Sequence, residues 1–234
     1  MFENISKLDL SSLDFNEGVI LNINKPSGLT SFGVVRKIRG WTRCKKVGHA
    51  GTLDPGATGV LLVVTGKATK KVNQLMGLEK EYKGTIFLGI TTDTDDAEGR
   101  IIEDKEVHPF SEDKINEVLK DFTGEIEQIP PMYSALKING QPLYKLARKG
   151  KVVERKPRRV IIHSISVDSI DLPFINVTVR CSKGTYIRAL ARDIGEKLGV
   201  GGHLKSLIRT RIGGYKIEDA LYLDDIREEL AVKK

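Results

Sequence analysis

Cysteine is scarce in this chain. Cys44 and Cys181 are the only two in 234 residues, and no C-x-x-C spacing occurs. That excludes a disulfide framework and a cysteine-based structural zinc site, and it fits a reducing cytoplasm. Long apolar runs are missing as well. No stretch approaches the ~18 residues of a membrane-spanning helix. The opening residues carry acids and no apolar core, so no secretory signal is expected. The four histidines, His49, His108, His163 and His203, are scattered without metal-ligand spacing. Gly66-Lys67 lacks the flanking residues of a phosphate-binding P-loop. Asp93, Asp95, Asp96 and Glu98 resemble a calcium loop, but the glycine is misplaced and no closing Glu follows; they read as an acidic surface turn.

The most informative absence is of negative charge. Between Glu17 and Glu79 lie ten Lys or Arg (Lys25, Arg36, Lys37, Arg39, Arg43, Lys45, Lys46, Lys67, Lys70, Lys71) and a single carboxylate, Asp54. Residues 137–159 hold nine Lys or Arg against Glu154 alone. Residues 199–216 hold four (Lys205, Arg209, Arg211, Lys216) and no acid. The formal net charge is +7. With Trp41, Tyr144, Tyr186 and Tyr215 interspersed, these zones fit phosphate contacts plus base stacking. RNA fits better than DNA, because no helix-turn-helix or zinc-finger pattern occurs and irregular loops suit folded RNA.

Asp54 sits in Gly48-His-Ala-Gly-Thr-Leu-Asp54-Pro-Gly-Ala-Thr-Gly59. Pro55 fixes its own φ and keeps Asp54 out of the α region, so the carboxylate stands on a stiff backbone. One reading is an Asp that stabilises a turn. The other is chemistry, because a lone anion on a polyanion-binding surface repels its ligand unless it reacts.

Apolar content of 40% and charged content of 29% describe a globular chain. Residues 1–18 read as a polar extension, the first seventeen loose, ahead of the fold. Strands are expected near Val19-Ile-Leu-Asn-Ile23 and at Val60-Leu-Leu-Val-Val64, residues 82–90, 100–107, 160–170, 174–181 and 206–212. Helices are expected from Ser31, with Ser31 as cap and Phe32, Val35 and Ile38 inward, and around residues 72–76, 111–122, 140–150, 185–198 and 223–230. Strands and helices mix without a βαβ rhythm, which predicts an α+β fold around a largely antiparallel sheet.

The Asp54 loop closely resembles the catalytic motif of the bacterial tRNA pseudouridine synthase B family. Further blocks follow in the family's order: Asn24-Lys25-Pro26 with Gly28-Leu-Thr-Ser31, Tyr82-Lys83-Gly84, Pro130-Pro131-Met-Tyr-Ser-Ala135, Cys181-Ser-Lys-Gly-Thr-Tyr186-Ile-Arg188, and Leu207-Ile-Arg-Thr-Arg211. The resemblance implies the pseudouridine synthase catalytic fold over residues 19–234, flanked by helices, with an RNA-gripping insertion at about 130–159. It implies isomerisation of uridine 55 in the T loop of tRNA, with base flipping and without metal or other cofactor. Asp54 is then the essential carboxylate, as nucleophile or base, and Arg188 pairs with it and keeps it ionised. Tyr82 stacks on the target base and moves a proton late in the reaction. Tyr186 and Leu207 line the pocket, His49 braces the space the base leaves, and Lys25 supports the loop. Lys145, Arg148 and Lys149 contact phosphates.

The chain stops about twenty residues after Gly214, so the family's usual PUA-type C-terminal domain is expected to be absent, with a weaker grip on tRNA. A monomer without membrane attachment is expected. The alternative from another class is a non-catalytic RNA-binding or RNA-folding module on the same basic surface. A metal-dependent nuclease built on the acidic turn is a third reading.

Overall fold

The computed structural model describes residues 4–5, 10–138 and 140–231. Fourteen strands and six α-helices follow one another along the described chain. The first half contains β1 (Asn4–Ile5), β2 (Ile20–Lys25), α1 (Ser31–Thr42), β3 (Val47–Ala50), β4 (Thr58–Thr65), α2 (Val72–Gly77), β5 (Lys80–Leu88), β6 (Ile90–Thr92) and β7 (Ile101–Asp104). Then come α3 (Glu112–Asp121), β8 (Gly124–Gln128), β9 (Lys137–Ile138), β10 (Gln141–Pro142), α4 (Leu143–Ala147) and β11 (Arg158–Asp171). The last are β12 (Phe174–Cys181), α5 (Ile187–Lys197), β13 (Gly202–Ile212), β14 (Tyr215–Lys216) and α6 (Leu223–Ala231). The chain divides into two compact units, residues 1–82 with 207–234, and residues 83–206.

In the first unit β4 is the central strand. It pairs antiparallel with β2 (Ile23 opposite Leu61) and with β3 (His49 opposite Val63), and parallel with β13 (Arg209 opposite Gly59). Its apolar run is buried on both faces, which is why it does not alternate with polar residues. Leu61 and Val63 face a core shared with Val34, Val35 and Ile38 of α1 and Ile226 of α6. Val60, Leu62 and Val64 face a second core with Leu75 and Ile212.

In the second unit the long β11 pairs antiparallel with β12 (Val167 opposite Val177) and with β8 (Val160 opposite Ile126). The strand pairings are predominantly antiparallel and helices flank them, as the α+β reading predicts. Helix α3 starts at a Ser111 cap and buries Ile115, Val118 and Leu119. Helix α5 buries Ile187, Leu190, Ala191 and Ile194 on one face.

Three local expectations need correction. The cap of α1 is Thr30, whose hydroxyl accepts from the Gly33 amide at 2.9 Å. Ser31 is turned inward instead, and Phe32 is 62% exposed rather than in the core. The strand at residues 100–107 is shorter, and β7 pairs with β6, because Gly89 turns the chain at φ +87° after β5.

The third concerns the amino-terminal segment. Residues 1–3 and 6–9 lie outside the described residues. Residues 10–17 are not loose: Leu10 and Phe15 are buried in the α1–α6 core, and the Leu10 amide donates to Glu229 at 3.1 Å. Two apolar anchors among many polar residues were too sparse a pattern to reveal this docking. Phe15→Ala should therefore lower stability by about 3 kcal/mol, read as a lower urea midpoint; a loose extension would leave it unchanged.

Candidate functional site

Strands β3 and β4 form an antiparallel pair, and residues 51–57 join them as the loop that carries Asp54. Gly51 takes φ +90° at its entrance. Gly59, at φ +98°, follows its exit, and a side chain there would collide with the Arg209 backbone.

Backbone bonds fix Asp54 and the residue on either side of it. The Ser31 hydroxyl accepts from the Leu53 amide at 2.9 Å and donates to the Leu53 carbonyl at 3.0 Å, doing for one residue what a strand partner would do. The Asp54 carbonyl accepts from Ala57 at 3.1 Å, closing a turn over Pro55 and Gly56. The Pro55 carbonyl accepts from the Gly28 amide at 2.9 Å and from Lys25 Nζ at 3.1 Å. Asp54 itself is half-buried in this frame.

Two buried cations complete the frame. Lys25, 0% exposed, also donates to the carbonyls of Pro26 and Leu29 at 2.9 and 2.6 Å. Arg209, 1% exposed, donates from Nε to the Val60 carbonyl at 2.7 Å. Its two terminal nitrogens reach the carbonyls of Thr52 and Gly51 at 3.3 and 3.0 Å. A loop cannot satisfy its carbonyls through a ladder, and these donors supply what it lacks.

The other residues expected at the site fall into both units. In the first, His49 lies in β3 and Leu207 is half-buried in β13. Tyr82 is buried in β5. His49 Nδ1 is buried with no hydrogen-bond partner. Burial first, and then the Arg209 cation, push its imidazole below the ordinary value, so it sits neutral in the fold.

In the second unit Tyr186 and Arg188 open α5. The Gln128 side chain, itself buried, holds the Tyr186 backbone, accepting from its amide at 3.1 Å and donating to its carbonyl at 3.2 Å. Arg188, 6% exposed, lies 3.3 Å from Asp96 and donates to the carbonyls of Thr94 at 3.0 Å and Tyr133 at 2.8 Å. Arg192 pairs with Asp95 at 2.9 Å and with Asp193 at 2.7 Å. The acidic segment is therefore a docking site for two arginines and not merely a solvated turn. Lys145, Arg148 and Lys149 stand exposed on and just after α4, with Arg148 5.6 Å above the Tyr144 ring.

Sequence reasoning missed Ser31, Gln128 and Arg209 as positioning residues. From the sequence alone Ser31 reads as a helix cap and Arg209 as one of the phosphate-binding cations. Nothing local to Gly28-Leu-Thr-Ser31 shows that this segment docks against the loop.

Ser31→Ala should cost about 1–2 kcal/mol, because it leaves the buried Leu53 amide and carbonyl unpaired. Hydrogen exchange at the Leu53 amide should accelerate with it. The folded chain also binds fewer protons at His49 than the unfolded chain does. That contribution to stability is complete above the ordinary value of 6.5 and shrinks as pH falls toward the folded-state pKa. Urea unfolding from about pH 7.5 to 5 should thus show a smaller loss of stability on acidification in His49→Gln than in the wild type.

The TruB family pseudouridylate synthase N-terminal domain matches residues 39–187, and the tRNA pseudouridylate synthase B C-terminal domain matches residues 188–234. The tRNA pseudouridine synthase B of Clostridium kluyveri is 50% identical over 214 residues, which is 92% of this chain and 74% of that protein. That of Bacteroides fragilis is 50% identical over 216 residues, 89% of this chain and 92% of that one. Among solved structures, a chain of a Cbf5-Nop10-Gar1 complex is similar at TM-score 0.72 and 35% identity, over 92% of this chain and 54% of that one. The structure of an H/ACA RNP bound to a substrate RNA containing 2'-deoxyuridine is similar at TM-score 0.68 and 32% identity, over 89% of this chain and 52% of that one. This chain spans about half the length of those two structures. Because the N-terminal match takes in the whole loop from Gly48 to Gly59 and the two matches together run from residue 39 to residue 234, the chain belongs to the TruB family of pseudouridylate synthases.

Proposed function

We propose that this protein is a tRNA pseudouridine synthase that acts on uridine 55 of the T loop. The observation that carries the proposal is the Asp54 loop, in which the one carboxylate between Glu17 and Glu79 is mounted on a backbone fixed on both sides. A turn-stabilising Asp needs no such frame, whereas a reacting group gains rate from being held in one geometry. The relatives' shared name supports tRNA as the substrate.

Pseudouridine contains the atoms of uridine. The N1–C1′ bond breaks, the base turns, a C5–C1′ bond forms, C5 loses its proton and N1 gains one. No electrons enter or leave overall. Asp54 acts in this sequence as nucleophile or as base toward the nucleoside. We assign Arg188 as the cation that keeps this carboxylate ionised. Tyr82 stacks on the extruded base and moves a proton late in the sequence. Tyr186, oriented by Gln128, and Leu207 line the base pocket. A neutral His49 occupies the space the base leaves, and Lys145, Arg148 and Lys149 hold phosphates of the T stem-loop.

The protein works as a monomer in the cytoplasm on this reading. Among the described residues no helix is long and apolar enough to cross a membrane.

The test uses a T stem-loop RNA tritiated at C5 of its uridines, with EDTA present. The wild type should release tritium, and Asp54→Asn should lower the rate by about 10³-fold or more while still binding RNA. Tight binding without release by either chain would overturn the enzyme and leave an RNA-binding module.

A further inference from the structure

Phe32 is the exposed aromatic side chain closest in sequence to the residues that fix the Asp54 loop. It follows Ser31, whose hydroxyl holds Leu53 by two hydrogen bonds, and it is 62% exposed although α1 has a well-filled apolar face. A single exposed apolar residue needs no explanation by itself. Its neighbours on the helix change that reading. Successive residues turn by about 100°, so Phe32, Arg36 and Arg39 share one solvent-facing stripe, while Ser31, Val34, Val35 and Ile38 face inward.

The stripe carries no negative charge. Arg36 and Arg39 are exposed, and neither is in an ion pair with any carboxylate among the described residues. Arg39 spends one N–H on the Val47 carbonyl at 3.2 Å. Asp54 is the only acid from residue 18 to residue 78, so nothing else in this stretch of sequence opposes a polyanion. A flat π-face at the loop end of a helix, followed by two cations one and two turns along, is the arrangement single-stranded nucleic acid binds. Bases stack on the aromatic, and the backbone follows the positive groups.

We infer that Phe32 is a base-stacking contact for an unpaired nucleotide of the RNA substrate, with Arg36 and Arg39 on the phosphates that follow. The inference rests on the proposed function for the identity of the RNA. A stacked base is favoured over a protein partner because the exposed ring is followed by two cations outside any ion pair among the described residues and by no acid, the pattern that a base with its phosphates satisfies.

The test measures affinity for the T stem-loop RNA by the full chain and its variants, together with tritium release by the wild type. Phe32→Ala should weaken binding about tenfold, the range expected for one lost stack. Phe32→Trp should restore it, and Phe32→Leu should not, because an aliphatic side chain fills space without a π-face. Arg36→Gln should lower the slope of log K against log salt by about one. All should melt as the wild type does, since the side chains are exposed. Unchanged affinity in Phe32→Ala, or full affinity in Phe32→Leu, overturns the stacking contact. A wild type that binds the RNA but releases no tritium overturns the enzymatic function, while the affinity comparison still decides the contact. A wild type that does not bind the RNA overturns both.

Discussion

Everything around Asp54 depends on two cations that are buried as donors to backbone carbonyls. Lys25 and Arg209 hold the carbonyls of residues 26, 29 and 55 and of residues 51, 52 and 60, respectively. Burying a charge is expensive unless it is well bonded, and here several peptide oxygens share the task. The same bonds remove the loop's freedom. Glycines let the chain pass close to β13, and the cations then remove the mobility that glycine brings. The result is an irregular segment held much as a strand is, with Asp54 at its middle.

The basic character of the chain thus divides into two kinds of work. Lys25, Arg188, Arg192, Arg209 and Arg211 are engaged internally with carbonyls or carboxylates, Arg211 with Glu79 at 2.9 Å and Glu81 at 3.4 Å. Arg36, Arg39, Lys45, Lys46, Lys145, Arg148 and Lys149 are exposed. Net charge counts both kinds together and so overstates the surface available to phosphate. The acids divide in the same way: Asp95 and Asp96 hold arginines of α5, whereas Glu17 meets Lys67 in an exposed pair worth little to stability.

The α+β composition and most elements were legible in the sequence because their apolar patterns are long. Helix α5 and the hairpin of β11 and β12 are examples. The two-residue strands, β3 and β8 were not: β3 lies in the glycine-rich stretch that reads as a loop, and in β8 five residues with two glutamates carry no clear period. The stiffness of the Asp54 loop could be read from Pro55, but the means of holding it could not. Ser31 and Arg209 act through contacts between distant parts of the sequence, and a residue's type does not show which carbonyl it will reach. Phe32 failed for the opposite reason. Its apolarity put it in the core on paper, and only the geometry of α1 shows it facing water.

Arg209 meets the loop across sequence separations of 149 to 158 residues. A ribosome synthesises the loop early and its clamp late, so a nascent chain that has emerged through β4 lacks the donors for the carbonyls of Gly51, Thr52 and Val60. The clamped form of the loop cannot exist on a partial product of translation. Any activity carried by Asp54 begins only when β13 has been made and inserted beside β4.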